Sequence, residues 1–318
     1  MHRHLLIATV VLAGTVVAAC GDGGTSAGGG DGPRIAVTNT ILGDVVRNLT
    51  GDLATVEVVV PSGADPHEFQ PSARQVAALR EAEVVVANGA GFEAGLDGAI
   101  SGAEDDGAVV FEAIEHVAPL ATAAGDDEHH DDEDDGHGHG PVDPHFFTDP
   151  ARMATATEAL ATVLADEVPA LATTEFRDRA AAYVDDLRAL DAEVEATLAD
   201  VPAERRKLVT DHDVLGYFGE RYGFEIVGAV IESSTTQAAP SASDLDDLAA
   251  TLRAEDVPAV FVDASAAGSL ADTLADEVGD VAVVELFIES LGDDGSGADT
   301  YAGMARTNAS RIAGALAP

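Results

Sequence analysis

The chain reads as an α/β protein of two lobes with one long helix between them, and three features of its 318 residues point there. Strand-like and helix-like segments alternate from Arg34 to about residue 114, and the same alternation returns after Lys207. The stretch between, from Pro150 to about Ala199, carries no strand signal, while Ala, Leu, Glu and Arg recur at helical spacing. Strands alternating with helices of about 10 to 15 residues imply parallel, helix-covered sheets. The roughly 285 residues after the first Gly-rich stretch suffice for two α/β domains of ordinary size.

Taken in order, RIAVTNT (34–40) is a β-rich run, ILGDVVRNLTG (41–51) has helical spacing closed by Gly, and TVEVVVP (55–61) is again a strand. PSARQVAALREAE (71–83) predicts a helix capped by Ser72, followed by the strands VVVANGAG (84–91) and AVVFEAI (108–114). TTEFRDRAAAYVDDLRALDAEVEATLADV (173–201) predicts one helix of about 40 Å at 1.5 Å per residue, long enough to brace two lobes. Beyond it come the strand KLVTDHD (207–213), the short helix VLGYFGERYG (214–223) and the strand EIVGAV (225–230). The helix 241–256, the strand PAVFVDA (258–264), a helix near 268–278, the strand VAVVELF (281–287) and a closing helix from Thr300 to Leu316 complete the pattern.

The first residues, MHRHLLIATVVLAGTVVAAC, place basic residues before an apolar run and small residues before a cysteine, the order of a secretory leader. Val17-Ala18-Ala19-Cys20 resembles the bacterial lipobox, in which cleavage precedes Cys and the thiol takes lipid. The apolar run is short for a spanning helix of about 20 residues. Cys20 is the only cysteine, so with it lipidated no disulfide or Cys-metal site is available, and any metal must be held by His and carboxylates. GDGGTSAGGGDGP behind it predicts a flexible tether of roughly 20 Å span. The expected organisation is a leader 1–19, tether 20–33, N-terminal lobe 34–170, linking helix 171–201 and C-terminal lobe 202–318.

Sixteen basic against 58 acidic residues give a net charge of −42, with a single Lys. Nucleic acid and anionic membrane surfaces select for basic patches, so neither is expected as the main partner. Because Ala, Asp, Glu, Arg and Gly replace Lys throughout, acidity alone does not mark a metal protein.

The histidines are more informative. His67 lies in PSGADPHEFQPS after a strand, His145 in VDPHFFTDP at the mouth of a helix, and His212 in VTDHDVLGYF at a strand-to-helix turn. Glu289 lies in LFIESLG, past a strand. Ligands of open α/β sheets gather beyond the C-terminal ends of strands, so these side chains could share one cleft. They are 78, 67 and 77 residues apart, which excludes a local motif such as HExxH and leaves the fold to assemble the site. Three imidazoles and one carboxylate suit Zn²⁺. A lone loop histidine is more commonly a surface or capping residue, and Asp211 and Asp213 beside His212 serve equally as helix caps or as acceptors that orient ring N–H groups.

ADPHEFQPS, DPHFFTDP, TDHDVLGYFGERYGFEIVG and LFIESLGDDGSGADTYAGMARTN resemble, in order, four signature regions of the ZnuA/TroA-like (cluster A-I) solute-binding lipoproteins, which deliver zinc or manganese to ABC transporters. The resemblance runs from about Arg34 to the C-terminus. It implies a periplasmic-binding-protein-like fold in which one long rigid helix joins two lobes around the metal. It further implies His67, His145, His212 and Glu289 as the metal ligands, a membrane permease as partner, a lipid-anchored extracytoplasmic location and a monomer without enzymatic activity. Two positions depart from the family pattern: Phe146-Phe147 stand where Trp is common, and the fourth ligand, often Asp, is Glu289. Manganese-type members tend to carry a carboxylate at the third position, so His212 makes the site nitrogen-rich and favours Zn²⁺ over Mn²⁺. The alternatives are a manganese- or iron-type member, an adhesin-like surface lipoprotein, and a zinc hydrolase, which would need an open position for water.

GDDEHHDDEDDGHGHG (125–140) holds eight acids and His129, His130, His137 and His139 in a Gly-punctuated run that predicts an acidic loop, an accessory that collects metal weakly. His116, in FEAIEHVAP, is expected at the surface and outside the site.

Overall fold

The computed structural model describes residues 32–121, 142–237, 240–265, 269–279 and 281–317. Among the described residues, two four-stranded sheets, all parallel, organise the chain from Gly32 onward. The first has β1 (Arg34–Val37), β2 (Thr55–Val58), β3 (Val84–Ala87) and β4 (Val109–Glu112) in the order β2-β1-β3-β4. The second has β5 (Lys207–His212), β6 (Glu225–Ile231), β7 (Ala259–Asp263) and β8 (Ala282–Leu286) in the order β6-β5-β7-β8. Each sheet thus runs second, first, third, fourth, and each reverses direction of growth between its first and third strands, where α/β sheets open a crevice.

Period-two alternation turns the side chains of the central strands to two buried faces. In the first sheet Ala36 and Val85 point to an outer core with Leu79 of α2 (Ala73–Arg80) and Ile100 of α3 (Asp97–Asp105). Ile35, Val37, Val84 and Val86 point inward. Val209, Val260 and Val262 of the second sheet pack outward with α7 (Ala242–Ala254) and α8 (Ser269–Val278), while Leu208 and Phe261 point inward. The two inner faces belong to one continuous core with α1 (Thr40–Thr50), α4 (Pro150–Glu167), α5 (Thr174–Leu198), α6 (Gly216–Tyr222) and α9 (Tyr301–Leu316).

α5 is the predicted long helix. Thr173 caps it, its Oγ1 accepting from the Phe176 N–H, and 25 residues make about 38 Å. It buries Phe176, Ala180, Val184, Leu187, Val194 and Leu198 at helical spacing against α1, α4 and α9. It ends short of the expected residue 201 because Pro202 disfavours helical backbone at Val201. Ser72 caps α2 as expected, in a reciprocal capping box with Gln75. α3 carries no sequence signal: DGAISGAED holds two glycines, and burial of Ile100 and Ala103 overrides its weak propensity. Among the described residues no helix is long and apolar enough to cross a membrane.

Candidate metal centre

His212 is the last residue of β5, so the pleat of a buried strand sets its direction. The expected strand-to-helix turn begins one residue later. Asp211 Oδ1 accepts from the His212 N–H at 2.8 Å and pairs with ring Nδ1 at 3.0 Å. Glu289 lies three residues past β8, its N–H donating to Asp263 Oδ2 at 3.0 Å. His67 sits on the β2–α2 loop, its N–H donating to Asp65 Oδ1 at 2.8 Å.

His145 sits on the segment leading into α4. Asp143 Oδ1 accepts from its N–H at 2.9 Å and pairs with its Nδ1 at 2.8 Å. Three further groups hold this segment: Asn88 Nδ2 donates to the Pro144 carbonyl, Tyr217 to that of Asp143 and Tyr301 to that of Phe147, at 2.8 to 2.9 Å. Behind it Asp149 caps α4, accepting from the N–H groups of Ala151 and Arg152.

These elements bring His67, His145, His212 and Glu289 together, each at most 2% exposed, with one donor atom from each within 4.8 Å of all the others. Glu289 Oε1 is 2.7 Å from His67 Nε2, 3.0 Å from His212 Nε2 and 3.6 Å from His145 Nε2. Donors around a tetrahedral Zn²⁺ at 2.0 to 2.1 Å stand about 3.3 to 3.4 Å apart, a spacing that the carboxylate–imidazole separations of 2.7 to 3.6 Å bracket. With Asp143 and Asp211 paired to Nδ1, Nε2 is the ring nitrogen that His145 and His212 turn to Glu289, and it becomes free to bind a metal once its proton leaves. His145 Nε2 is buried without a hydrogen-bond partner, an orphan that a cation would satisfy. Phe92 walls the site, its ring 5.2 Å from that of His67 and 5.9 Å from that of His145. It is aimed there by the turn Gly89-Ala90-Gly91, all three at positive φ; a Cβ at Gly89 would lie 2.7 Å from a Glu112 oxygen.

The electrostatics suit a cation. Burial acts to raise the Glu289 pKa, but the three imidazoles outweigh it and hold the carboxyl well below its usual range. Burial acts to lower the pKa of both histidines, yet the hydrogen bond to Asp143 and the Glu289 carboxylate 3.6 Å from its Nε2 leave His145 raised, and hydrogen bonds to Asp211 and Glu289 leave His212 raised well above the ordinary histidine value. An ionised carboxylate among three imidazoles favours positive charge at the centre of the site, as a metal ion would supply.

Sequence reasoning named the four converging residues and Asp211. Asp213 lies one residue past β5, where its backbone N–H donates to the Ser233 carbonyl. His116 is exposed and stacks on Phe111 with centroids 4.4 Å apart, away from the four. His129, His130, His137 and His139, the leader and Cys20 lie outside the described residues. Asp143 and Asp263 went unread. The repeated tripeptide Asp-Pro-His at 65–67 and 143–145 is the signal that marks Asp143, and an acid closing the otherwise apolar strand AVFVD marks Asp263.

Comparison with known proteins settles the family. Residues 35–315 match the ZnuA family, described as zinc-uptake complex component A, periplasmic. The chain belongs to this family of metal ABC transporter substrate-binding proteins. It is 30% identical over 323 residues to the zinc-binding protein TroA of Treponema pallidum, covering all of both chains. It is 29% identical to the manganese-binding lipoprotein MntA of Halalkalibacterium halodurans, over 94% of each. The solved structure of the Treponema periplasmic zinc-binding protein superposes with a TM-score of 0.80 at 29% identity, over 90% of this chain and 100% of that one. The fold is therefore two-lobed and TroA-like. A relative from Yersinia pestis, 26% identical over 88% of this chain and 85% of its own length, is named an iron-binding protein, so metals differ within the group.

Proposed function

We propose that the protein is the extracytoplasmic zinc-binding component of a metal ABC importer, holding Zn²⁺ between its lobes through His67, His145, His212 and Glu289 and releasing it to a membrane permease. The observation that carries this reading is the buried convergence of three imidazoles and one carboxylate within 4.8 Å. Three nitrogens and one oxygen favour zinc over manganese, which prefers oxygen-rich sites. Four protein donors leave no open position for a reactive water, which favours a carrier over a hydrolase. The lipobox-like Val17-Ala18-Ala19-Cys20 and the lipoprotein relatives support a lipid anchor. The lobes are taken as 34–170 and 202–318 with 171–201 linking them, and the His-rich stretch 125–140 as a weak collector of metal.

Isothermal titration of a chain lacking residues 125–140 tests this. We expect one tight Zn²⁺ site, weaker Mn²⁺ binding, and a loss of Zn²⁺ affinity by orders of magnitude in His67→Ala and in His212→Ala. Unchanged tight binding in either variant defeats the ligand assignment, and tighter binding of Mn²⁺ than of Zn²⁺ defeats the choice of metal.

A further inference from the structure

We propose that Asp263 is a positioning residue that locks His212 and Glu289 into one unit and so sets the spacing of the two donors from the C-terminal sheet. This rests on the four-residue site taking a metal ion.

Topology makes Asp263 the natural link. His212 ends β5, Glu289 follows β8, and β7 lies between those strands in the sheet. A short hydrogen-bonded path from one donor to the other passes the end of β7, and Asp263 is its last residue, after the four buried apolar residues Ala259 to Val262. A carboxylate only 2% exposed at the end of such a strand is unfavourable unless its oxygens are filled.

They are. Oδ2 accepts from the backbone N–H groups of Ile288 at 2.8 Å and Glu289 at 3.0 Å, fixing the chain where the metal-facing carboxylate leaves it. Oδ1 accepts from the Ser265 N–H at 2.7 Å and from the Ser265 hydroxyl. The Asp263 N–H donates to Asp211 Oδ2 at 2.7 Å, and Asp211 uses its other oxygen on the His212 N–H and Nδ1. The path His212, Asp211, Asp263, Glu289 closes where Glu289 Oε1 meets His212 Nε2 at 3.0 Å. Both donors therefore sit on one ring of hydrogen bonds, and Asp263, which touches neither donor atom, is the member that holds the ring together. Asp143 backs His145 alone, whereas Asp263 acts on two donors at once.

The test uses the purified full chain as wild type, Asp263→Asn, Asp211→Asn and the double variant, read by Zn²⁺ titration, by the electronic absorption of bound Co²⁺, and by melting of the metal-free protein. Asp263→Asn is expected to bind Zn²⁺ about 10- to 100-fold more weakly, the usual effect of removing an outer partner, and to shift the Co²⁺ bands. The double variant is expected to be no weaker than the weaker single variant by more than about twofold, since both substitutions open the same ring. Wild-type affinity and spectrum in Asp263→Asn, or losses that multiply in the double variant, overturn the inference. So does a lowered melting temperature with an unchanged spectrum, the mark of a purely structural role. Should Asp263→Asn fail to fold, Ser265→Ala removes one of the two donors to Asp263 Oδ1: a few-fold loss and a shifted spectrum are expected, and an unchanged spectrum overturns the inference. A wild-type chain that takes up neither Zn²⁺ nor Co²⁺ defeats the metal-site reading itself, whereas a binding wild type with an indifferent Asp263→Asn defeats only this step.

Discussion

The tripeptide Asp-Pro-His occurs at two of the site histidines, His67 and His145, yet the two copies are used differently. In Asp143-Pro144-His145 one carboxylate oxygen takes both the backbone N–H and the ring Nδ1 of the histidine. In Asp65-Pro66-His67 the carboxylate takes only the backbone N–H, at 2.8 Å, while its second oxygen accepts from Thr236 Oγ1 across the lobe boundary at 2.6 Å. His67 Nδ1 is left buried without a hydrogen-bond partner. The local cap is thus common to both, and what differs is where the ring turns and what the spare oxygen meets. His145 is oriented from within its own segment; His67 is held through its backbone by the opposite lobe, where Gln237 Nε2 also donates to the His67 carbonyl at 2.6 Å.

The largest effect that sharpens this contrast is that of pH. Metal binding needs neutral imidazoles, and the carboxylate-backed rings of His145 and His212 have raised pKa values, so protons compete for the site from above the ordinary histidine range near 6.5 downward. With two protons displaced, Zn²⁺ affinity should fall by about 100-fold per pH unit below those pKa values. Stability without metal runs the other way. The raised histidines stabilise the fold fully below about pH 6.5 and lose that contribution as pH rises through their folded values. Glu93, which burial pushes up to about 7, adds a loss of the same sign. Glu289, held low, stabilises above about 4.3 and loses its share as pH falls through its folded value. Thermal melts should therefore show the metal-free midpoint falling from about pH 6 to 8 while the upward shift caused by Zn²⁺ grows. A Zn²⁺ shift independent of pH would break the picture.

Next in size is removal of the two aspartates. Asp143→Ala takes away the acceptor that fixes the His145 tautomer and should weaken Zn²⁺ binding by about 10- to 100-fold. Asp65→Ala takes away a backbone cap and a cross-lobe bond but no ring partner, and should weaken binding by less than about tenfold. Titration calorimetry on both variants decides the matter, and an equal loss would mean that the twin tripeptides do the same work after all.

How much of this could be read in the sequence follows from the range of the interactions. Strand and helix periodicity, the cap at Ser72 and the long helix are local, and they stand close to where the pattern puts them. The four converging residues were legible because strand ends in α/β sheets face a shared crevice and because their surroundings resemble a known family. The partners of those residues were less so. Asp211 is adjacent to His212 and was visible, whereas Asp263 reaches Asp211 across 52 positions and Glu289 across 26. Whether the spare oxygen of Asp65 meets a ring or Thr236, 171 positions away, depends on packing that no local pattern encodes.

The smallest expected effect probes that bond alone. Thr236→Val keeps the shape of the side chain and removes the hydroxyl that donates to Asp65 Oδ2. The loss should be about 1 kcal/mol, the usual net contribution of one hydrogen bond, or about 1.5 to 2 °C in the midpoint of a chain of this size. Because Asp65 Oδ1 still caps the His67 N–H and the ligand ring is untouched, Zn²⁺ affinity should change by less than about threefold, far less than in Asp143→Ala. Freed of Thr236, the Asp65 carboxylate could also turn toward the unpartnered His67 Nδ1, which would tighten metal binding slightly while the metal-free fold weakens. A loss of affinity as large as that of Asp143→Ala would show that the cross-lobe bond, and not the ring partner, is what orients a histidine in this site.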